Sequence, residues 1–143
     1  MSQVVALPYR DPFNTGRLRP YLLLHVVGPS GASGDLWGIV DSGADSTCLP
    51  LDFAPLMGYG PGDLEQQPFQ QAGGTATCYI AKQSSVAWVV GLDDRPFNVQ
   101  PTFIDGASSV LWGRQDFFMQ FGITFDEANQ HFSLTVSPTR GKE

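Results

Sequence analysis

The first regular pattern along the chain is YLLLHVV (Tyr21–Val27), apolar apart from one histidine. A Gly/Ser turn, GPSGASGD, follows, and then a second apolar run, LWGIVD (Leu36–Asp41). Two such runs around a turn predict a hairpin over 21–41. Ser46–Leu49 predicts a short strand ended by Pro50, and Leu51–Gly58 has room for one helical turn, limited by Pro55. Residues 59–74, rich in Gly, Pro and Gln, read as loop. Thr75–Val90 predicts one long strand or two, Phe97–Ile104 the next, and Ser109–Gly113 a short apolar one. In Arg114–Gly122, Phe117, Phe118 and Phe121 are spaced for one helical face, and Gly122 supplies a C-terminal stop. Ile123 and Phe125, then Phe132, Leu134 and Val136, alternate with polar residues across the EANQ turn and predict a last hairpin. Residues 1–20 show little periodicity and read as an extended arm, loose around Asn14–Gly16. The sum is an all-β barrel or sandwich with one or two short helices.

Composition narrows this. A length of 143 residues fits one domain, expected over 21–137, with the arm at 1–20 and a tail at 138–143. Glycine (16) and proline (11) are plentiful, as many turns between short strands require. A net charge of -6 with no Lys/Arg-rich run argues against nucleic acid as a partner, because phosphate binding needs clustered cations. No stretch of eighteen apolar residues is present, so no membrane-spanning helix is expected. MSQVVALPYR lacks the apolar core of a signal peptide, which makes the cytoplasm the expected location. Cys48 and Cys78 make no disulfide framework; they read as two buried thiols, with a single bridge left open.

Candidate chemistry concentrates in WGIVDSGADSTCLP. Ile39 and Val40 deliver Asp41 into a turn of small residues, Ser42, Gly43 and Ala44. An ionised carboxylate at the end of an apolar strand is costly unless something satisfies or uses it. Asp-Ser-Gly is also ordinary turn chemistry, so these residues alone leave both readings open. A serine nucleophile at Ser42 lacks the GxSxG setting, and the only histidines are His25 and His131. Two distant histidines and two cysteines with no short spacing do not form a metal site.

A second segment, VLWGRQDFFMQFGITF, changes the balance. Ile39-Val40-Asp41-Ser42-Gly43-Ala44-Asp45 followed by Leu111-Trp112-Gly113-Arg114 resembles the retropepsins, the single-domain aspartic proteases of retroviruses, and their bacterial relatives. Gln120–Phe125 resembles the family's last helix and strand, and Gln70–Ile80 sits where the family has its glycine-rich flap. The resemblance spans residues 20–126. It implies a retropepsin-like closed or partly open barrel. Asp41 would then be the catalytic aspartate. Ser42 would lock the active-site loops to a partner subunit, and Gly43 and Ala44 would line the cleft floor. Asp45 and Arg114 would form an internal ion pair after Gly113, and Gly73, Gly74 and Thr75 would lie at the flap. Trp112 is bulkier than the family's usual Ile or Leu. The chain also runs on past the position where the viral enzymes end, through a hairpin to Val136, which implies a differently assembled dimer.

The implied activity is aspartic endopeptidase. A chain this short carries one Asp-Ser-Gly, so a second aspartate has to come from an identical subunit. The implied partners are a homodimer mate and an extended peptide or protein substrate, with no cofactor and no metal. The alternative is a catalytically silent dimerisation or peptide-binding module on the same fold.

Overall fold

The strand that ends before Asp41 organises the molecule, because it pairs with segments far apart in the chain, Tyr21–Val27 on one side and Leu111–Trp112 on the other. The computed structural model describes residues 3–71 and 73–136. The tail at 138–143 lies outside these residues. In chain order the elements are β1 (Gln3–Pro8), β2 (Tyr21–Val27), β3 (Ser33–Val40), β4 (Cys48–Pro50), α1 (Phe53–Leu56), β5 (Leu64–Gln71) and β6 (Gly74–Ala81). Then come β7 (Ser85–Val89), β8 (Phe97–Val99), β9 (Thr102–Ile104), β10 (Leu111–Trp112), β11 (Gly122–Asp126) and β12 (His131–Val136). A 3-10 turn, Pro61–Asp63, leads into β5.

Nine strands form one sheet in the order β5-β6-β9-β4-β10-β3-β2-β7-β8, which curls into a half-barrel. The β2–β3 hairpin, expected from two apolar runs around a turn, and the β11–β12 hairpin, expected from alternation, are both antiparallel. Two pairings are parallel: β10 with β3, and β4 with β9. The remaining three strands form a separate sheet, β1-β12-β11. Phe132, Leu134 and Val136 of β12 join Leu24, Val40, Phe103, Trp112 and Phe117 in one buried cluster, so both sheets share a core.

Several expectations need correction. Residues 64–71 are strand, not loop: β5 pairs with β6 along its whole length, from Leu64↔Ala81 to Gln71↔Gly74. It is an edge strand in which, among residues 64–70, only Leu64 and Phe69 are partly covered, so it needs little apolar pattern, and Pro68 is tolerated there. Thr75–Val90 resolves into two strands, and Phe97–Ile104 is broken between β8 and β9 at Gln100-Pro101. Arg114–Gln120 is a run of turns rather than a helix. The amides of Phe117 and Phe118 both donate to Gly113 O, at 3.0 and 3.2 Å, so the helical register fails at its first turn. Gly122 opens β11 instead of stopping a helix. The three phenylalanines still cluster: Phe117 and Phe121 rings lie 5.1 Å apart, and Phe97 packs on both.

The arm is extended at its start. Residues 3–8 form β1, in register with β12 from Gln3↔Val136 to Pro8↔His131. The Tyr9 hydroxyl donates to Glu127 Oε1 at 2.9 Å, tying the arm to the last turn. Cys48 and Cys78 are both free and buried. They sit on β4 and β6 with β9 between, opposite Thr102 and Ile104 respectively. Two strand spacings come to about 9.5 Å, beyond the roughly 7 Å that a disulfide can span.

Candidate active site

β3 ends at Val40 and passes Asp41 into the turn Ser42–Ala44. The parallel pairing of β3 with β10 sets Leu111 beside Ile39 and Trp112 beside Val40. The Asp41 amide then donates to Trp112 O at 3.1 Å. The Asp41 side chain is half-buried. Its Oδ1 accepts the Gly43 amide at 2.8 Å, and the Ala44 amide closes the turn on Asp41 O at 3.2 Å. A Cβ at Gly43 would lie 3.2 Å from Asp41 Oδ1, so a small residue is what lets the loop wrap its own carboxylate.

The segment after β10 is bonded to the loop after β3. The Arg114 amide donates to Ala44 O at 2.9 Å, and the Gln115 amide to Asp45 O at 2.8 Å. The Gly113 amide donates to the buried Thr47 hydroxyl at 3.2 Å. A side chain at Gly113 would run into the backbone of Ser46, so only glycine permits this approach. The structure thus brings Asp41, Ser42, Gly43, Ala44, Asp45, Gly113 and Arg114 together. Ser42 and Gly43 are exposed.

One feature of the resemblance is corrected. The Asp45–Arg114 pair is not internal: the nearest atoms are 3.9 Å apart, and the side chains are 86% and 63% exposed. What braces the loop is the pair of backbone bonds beside it. Gly73, Gly74 and Thr75 lie apart from this cluster, at the turn of the β5–β6 hairpin. Gly74 has φ 125°, a conformation that favours glycine, and Gln70 Nε2 donates to the Thr75 hydroxyl at 3.1 Å.

Residues to which the sequence reading gave no role complete the site. Thr47 is fully buried and links three elements: its hydroxyl takes the Gly113 amide, its carbonyl takes the Thr102 amide at 3.0 Å, and its own amide donates to Asp116 Oδ2 at 3.4 Å. Burial pushes the Asp116 carboxyl above the usual carboxylate range, against hydrogen bonds from Thr47 and the Gln100 backbone that favour the charge. Trp112 is almost wholly buried, and its indole N–H donates to Leu22 O at 3.0 Å. Gly38 makes room for it, since a Cβ there would lie 2.5 Å from the indole. No local pattern announces these roles, which depend on strands far apart in the chain.

A single half-buried carboxylate can accept or give a proton, but it cannot be base and acid in one step. Neither histidine supplies the missing function: His25 Nδ1 is 2.6 Å from Asp35, and His131 Nδ1 is bonded to Asn129 O. A cavity of about 560 Å³ between α1 and the base of the β5–β6 hairpin is lined by Leu51, Tyr59, Leu64 and Tyr79 among others, and not by Asp41. Among the described residues no cluster of His, Cys, Asp or Glu is arranged to hold a metal, and no helix is long and apolar enough to cross a membrane.

No protein-family model and no curated protein matches the chain. Solved structures do. A retropepsin-like aspartic protease from Rickettsia conorii is similar at a TM-score of 0.56 and 14% identity, over 95% of this chain and 94% of that one. EIAV protease complexed with the inhibitor HBY-793 is similar at a TM-score of 0.52 and 18% identity, over 73% of this chain and 89% of that one.

Proposed function

The chain has the retropepsin-like fold, and from that premise we propose that it is an aspartic endopeptidase acting as a homodimer. The observation that carries the reading is the position of Asp41. It stands half-exposed at the end of β3, wrapped by Gly43 and tied to β10, on a fold shared with aspartic proteases. Two copies related by a two-fold axis would bring two such carboxyls together. One, ionised, takes a proton from a water; the other, protonated, gives one to the carbonyl oxygen of the peptide as the water adds. The tetrahedral intermediate then collapses, breaking the C–N bond as the nitrogen takes up a proton.

Ser42 and Gly43 face the partner in this reading, and Ala44 lines the floor beneath the substrate. Gly113 and Arg114 hold the loop from behind through Thr47 and Ala44. The hairpin tip at Gly73, Gly74 and Thr75 closes over an extended peptide and excludes water. No cofactor is required.

Asp41→Asn tests this directly. The amide keeps the size and can still accept the Gly43 N–H, but it cannot take the proton. Cleavage of a peptide library should fall by several orders of magnitude while fold and dimer persist. Retained turnover rejects the aspartic mechanism. If the wild-type protein binds peptides and never cleaves them, the silent module is the correct description.

A further inference from the structure

The cavity of about 560 Å³ between α1 and the base of the β5–β6 hairpin lies apart from Asp41. Its volume is that of a small-molecule site, and its walls have the matching make-up, apolar and aromatic with few polar groups. Leu64 and Gln66 stand two residues apart on β5, directly opposite Ala81 and Tyr79 of β6, so these four share one face of the hairpin. Ala81 is fully buried, and Tyr79 is paired with the fully buried Phe103 of β9, which makes this the core side of the sheet. Ala54 and Pro55 of α1 and Pro61 of the 3-10 turn add to the apolar lining. Tyr59 makes a fixed part of it. Its hydroxyl donates to Gln83 O at 2.9 Å and lies 2.7 Å from Ser85 Oγ, and its ring forms a T-shaped pair with Phe103, centroids 5.6 Å apart.

One formal charge belongs to this lining. Asp52 precedes α1 without capping it, and among the described residues its carboxylate makes no hydrogen bond or ion pair. The neighbouring carboxylates are placed otherwise. Asp63 Oδ2 accepts the Gly60 amide at 2.7 Å, and Glu65 lies on the opposite face of β5 from Leu64 and Gln66. Among the described residues no Lys, Arg or His lines the cavity; Lys82, whose amide donates to Asp63 O, stands outside it. An aromatic cavity with one unpaired carboxylate and no cation is complementary to a ring that carries a positive charge.

We propose that this cavity binds a small aromatic amine, with its ring among Tyr59, Pro61, Leu64 and Tyr79 and its ammonium at Asp52. Binding there needs neither a dimer nor peptide cleavage, so it stands apart from the endopeptidase reading. Burial of the ring supplies most of the affinity. The ion pair adds a modest preference for the cation, because Asp52 is exposed and water screens it. An occupant would touch both α1 and the base of the hairpin that carries Gly73, Gly74 and Thr75 at its tip, and so tie the two together.

The test uses tryptamine, its neutral analogue tryptophol and the anion indoleacetate, which share a ring system and differ in the terminal group. Each is titrated into the full chain at neutral pH while backbone amides are followed by NMR. Tryptamine should shift the amides of Ala54, Leu64, Gln66 and Tyr79. It should bind roughly three- to tenfold more tightly than tryptophol, with indoleacetate the weakest. Asp52→Asn should bring tryptamine to the level of tryptophol, and added salt should narrow the gap in wild type. Glu65→Gln removes the same charge from the opposite face of β5 and should leave the preference intact. Leu64→Trp should fill the cavity and abolish binding of all three, with the fold checked by the remaining amide signals. Equal affinity for tryptamine and tryptophol, shifts confined to other residues, or no shifts at millimolar tryptamine overturns the proposal. A preference lost in Asp41→Asn and kept in Asp52→Asn puts the amine at the proposed catalytic carboxylate and also overturns it, while leaving the endopeptidase reading untouched.

Discussion

Trp112 and Gly38 fit each other across the β3–β10 seam. The indole occupies the space that a side chain at 38 would need, with the hypothetical Cβ 2.5 Å from the ring, and its N–H is anchored on Leu22 O at 3.0 Å. The same tryptophan's carbonyl holds the Asp41 amide. A bulky residue before Gly113 is therefore accommodated by an absent one two positions before Val40, and the aspartate is positioned by the result.

That fit predicts a coupled pair. Gly38→Ala should overpack the seam and cost about 1–3 kcal/mol in denaturant unfolding. In a Trp112→Leu background the same substitution should cost much less, because the smaller side chain leaves room. Equal costs in both backgrounds would show that the indole is not what excludes a side chain at 38.

A second expectation concerns Asp45 and Arg114. A separation of 3.9 Å between two mostly exposed groups is a surface pair, and such pairs contribute below about 1 kcal/mol. A double-mutant cycle with Asp45→Asn and Arg114→Gln should give a coupling in that range, falling as salt rises. Coupling of roughly 3 kcal/mol would mean that dimer formation buries the pair.

These contrasts show what the chain reveals of itself. The β2–β3 hairpin was legible because two apolar runs flank a Gly/Ser turn, and β11–β12 because Phe132, Leu134 and Val136 alternate inward with polar residues. The loop at Asp41 and the Gly113-Arg114 step were legible through their resemblance to retropepsin segments, and their small residues permit the close backbone approach found here. β5 was not, since an exposed edge strand has no apolar face to display. The run 114–122 misled for the opposite reason: Phe117, Phe118 and Phe121 have helical spacing, yet they cluster, with Phe97 packed on Phe117 and Phe121, without an intact helical ladder. Asp116 was invisible because the groups that bond its carboxylate, Thr47 and the Gln100 backbone, lie far from it in the chain.

Asp116 gives a third prediction. Its carboxyl is raised by burial, so folding favours the protonated form. The stability this contributes is complete below the unfolded value of about 3.8 and is lost as pH rises through the folded value. Asp116→Asn keeps an acceptor for the Thr47 amide without a charge to desolvate. Thermal melts from pH 3 to 8 should therefore decline less on the alkaline side in the variant than in wild type. Parallel curves would mean that the Asp116 carboxylate is as well solvated in the folded protein as in the unfolded chain.

The rate profile of the proposed dimer is the most discriminating measurement. Two Asp41 carboxyls facing each other across an axis cannot both ionise cheaply, because like charges a few ångströms apart in a partly desolvated site repel. The aspartic-protease dyad is the established example of such proton sharing, and here it is applied to Asp41. Catalysis needs one ionised and one protonated carboxyl, so the rate should be bell-shaped, with a maximum at roughly pH 4 to 6. On the acid limb the base is lost to protonation, and on the alkaline limb the acid is lost to ionisation. Dilution should lower specific activity at every pH, since a separated subunit holds half of the pair. Excess Asp41→Asn subunits should suppress wild type by forming heterodimers with a single carboxylate. The measurement is the cleavage rate of one peptide from pH 3 to 9, with the dimer fraction determined by sedimentation at each point. A rate that climbs to a plateau above pH 8, or full activity in a species sedimenting at 15.5 kDa, would exclude the shared-proton dyad.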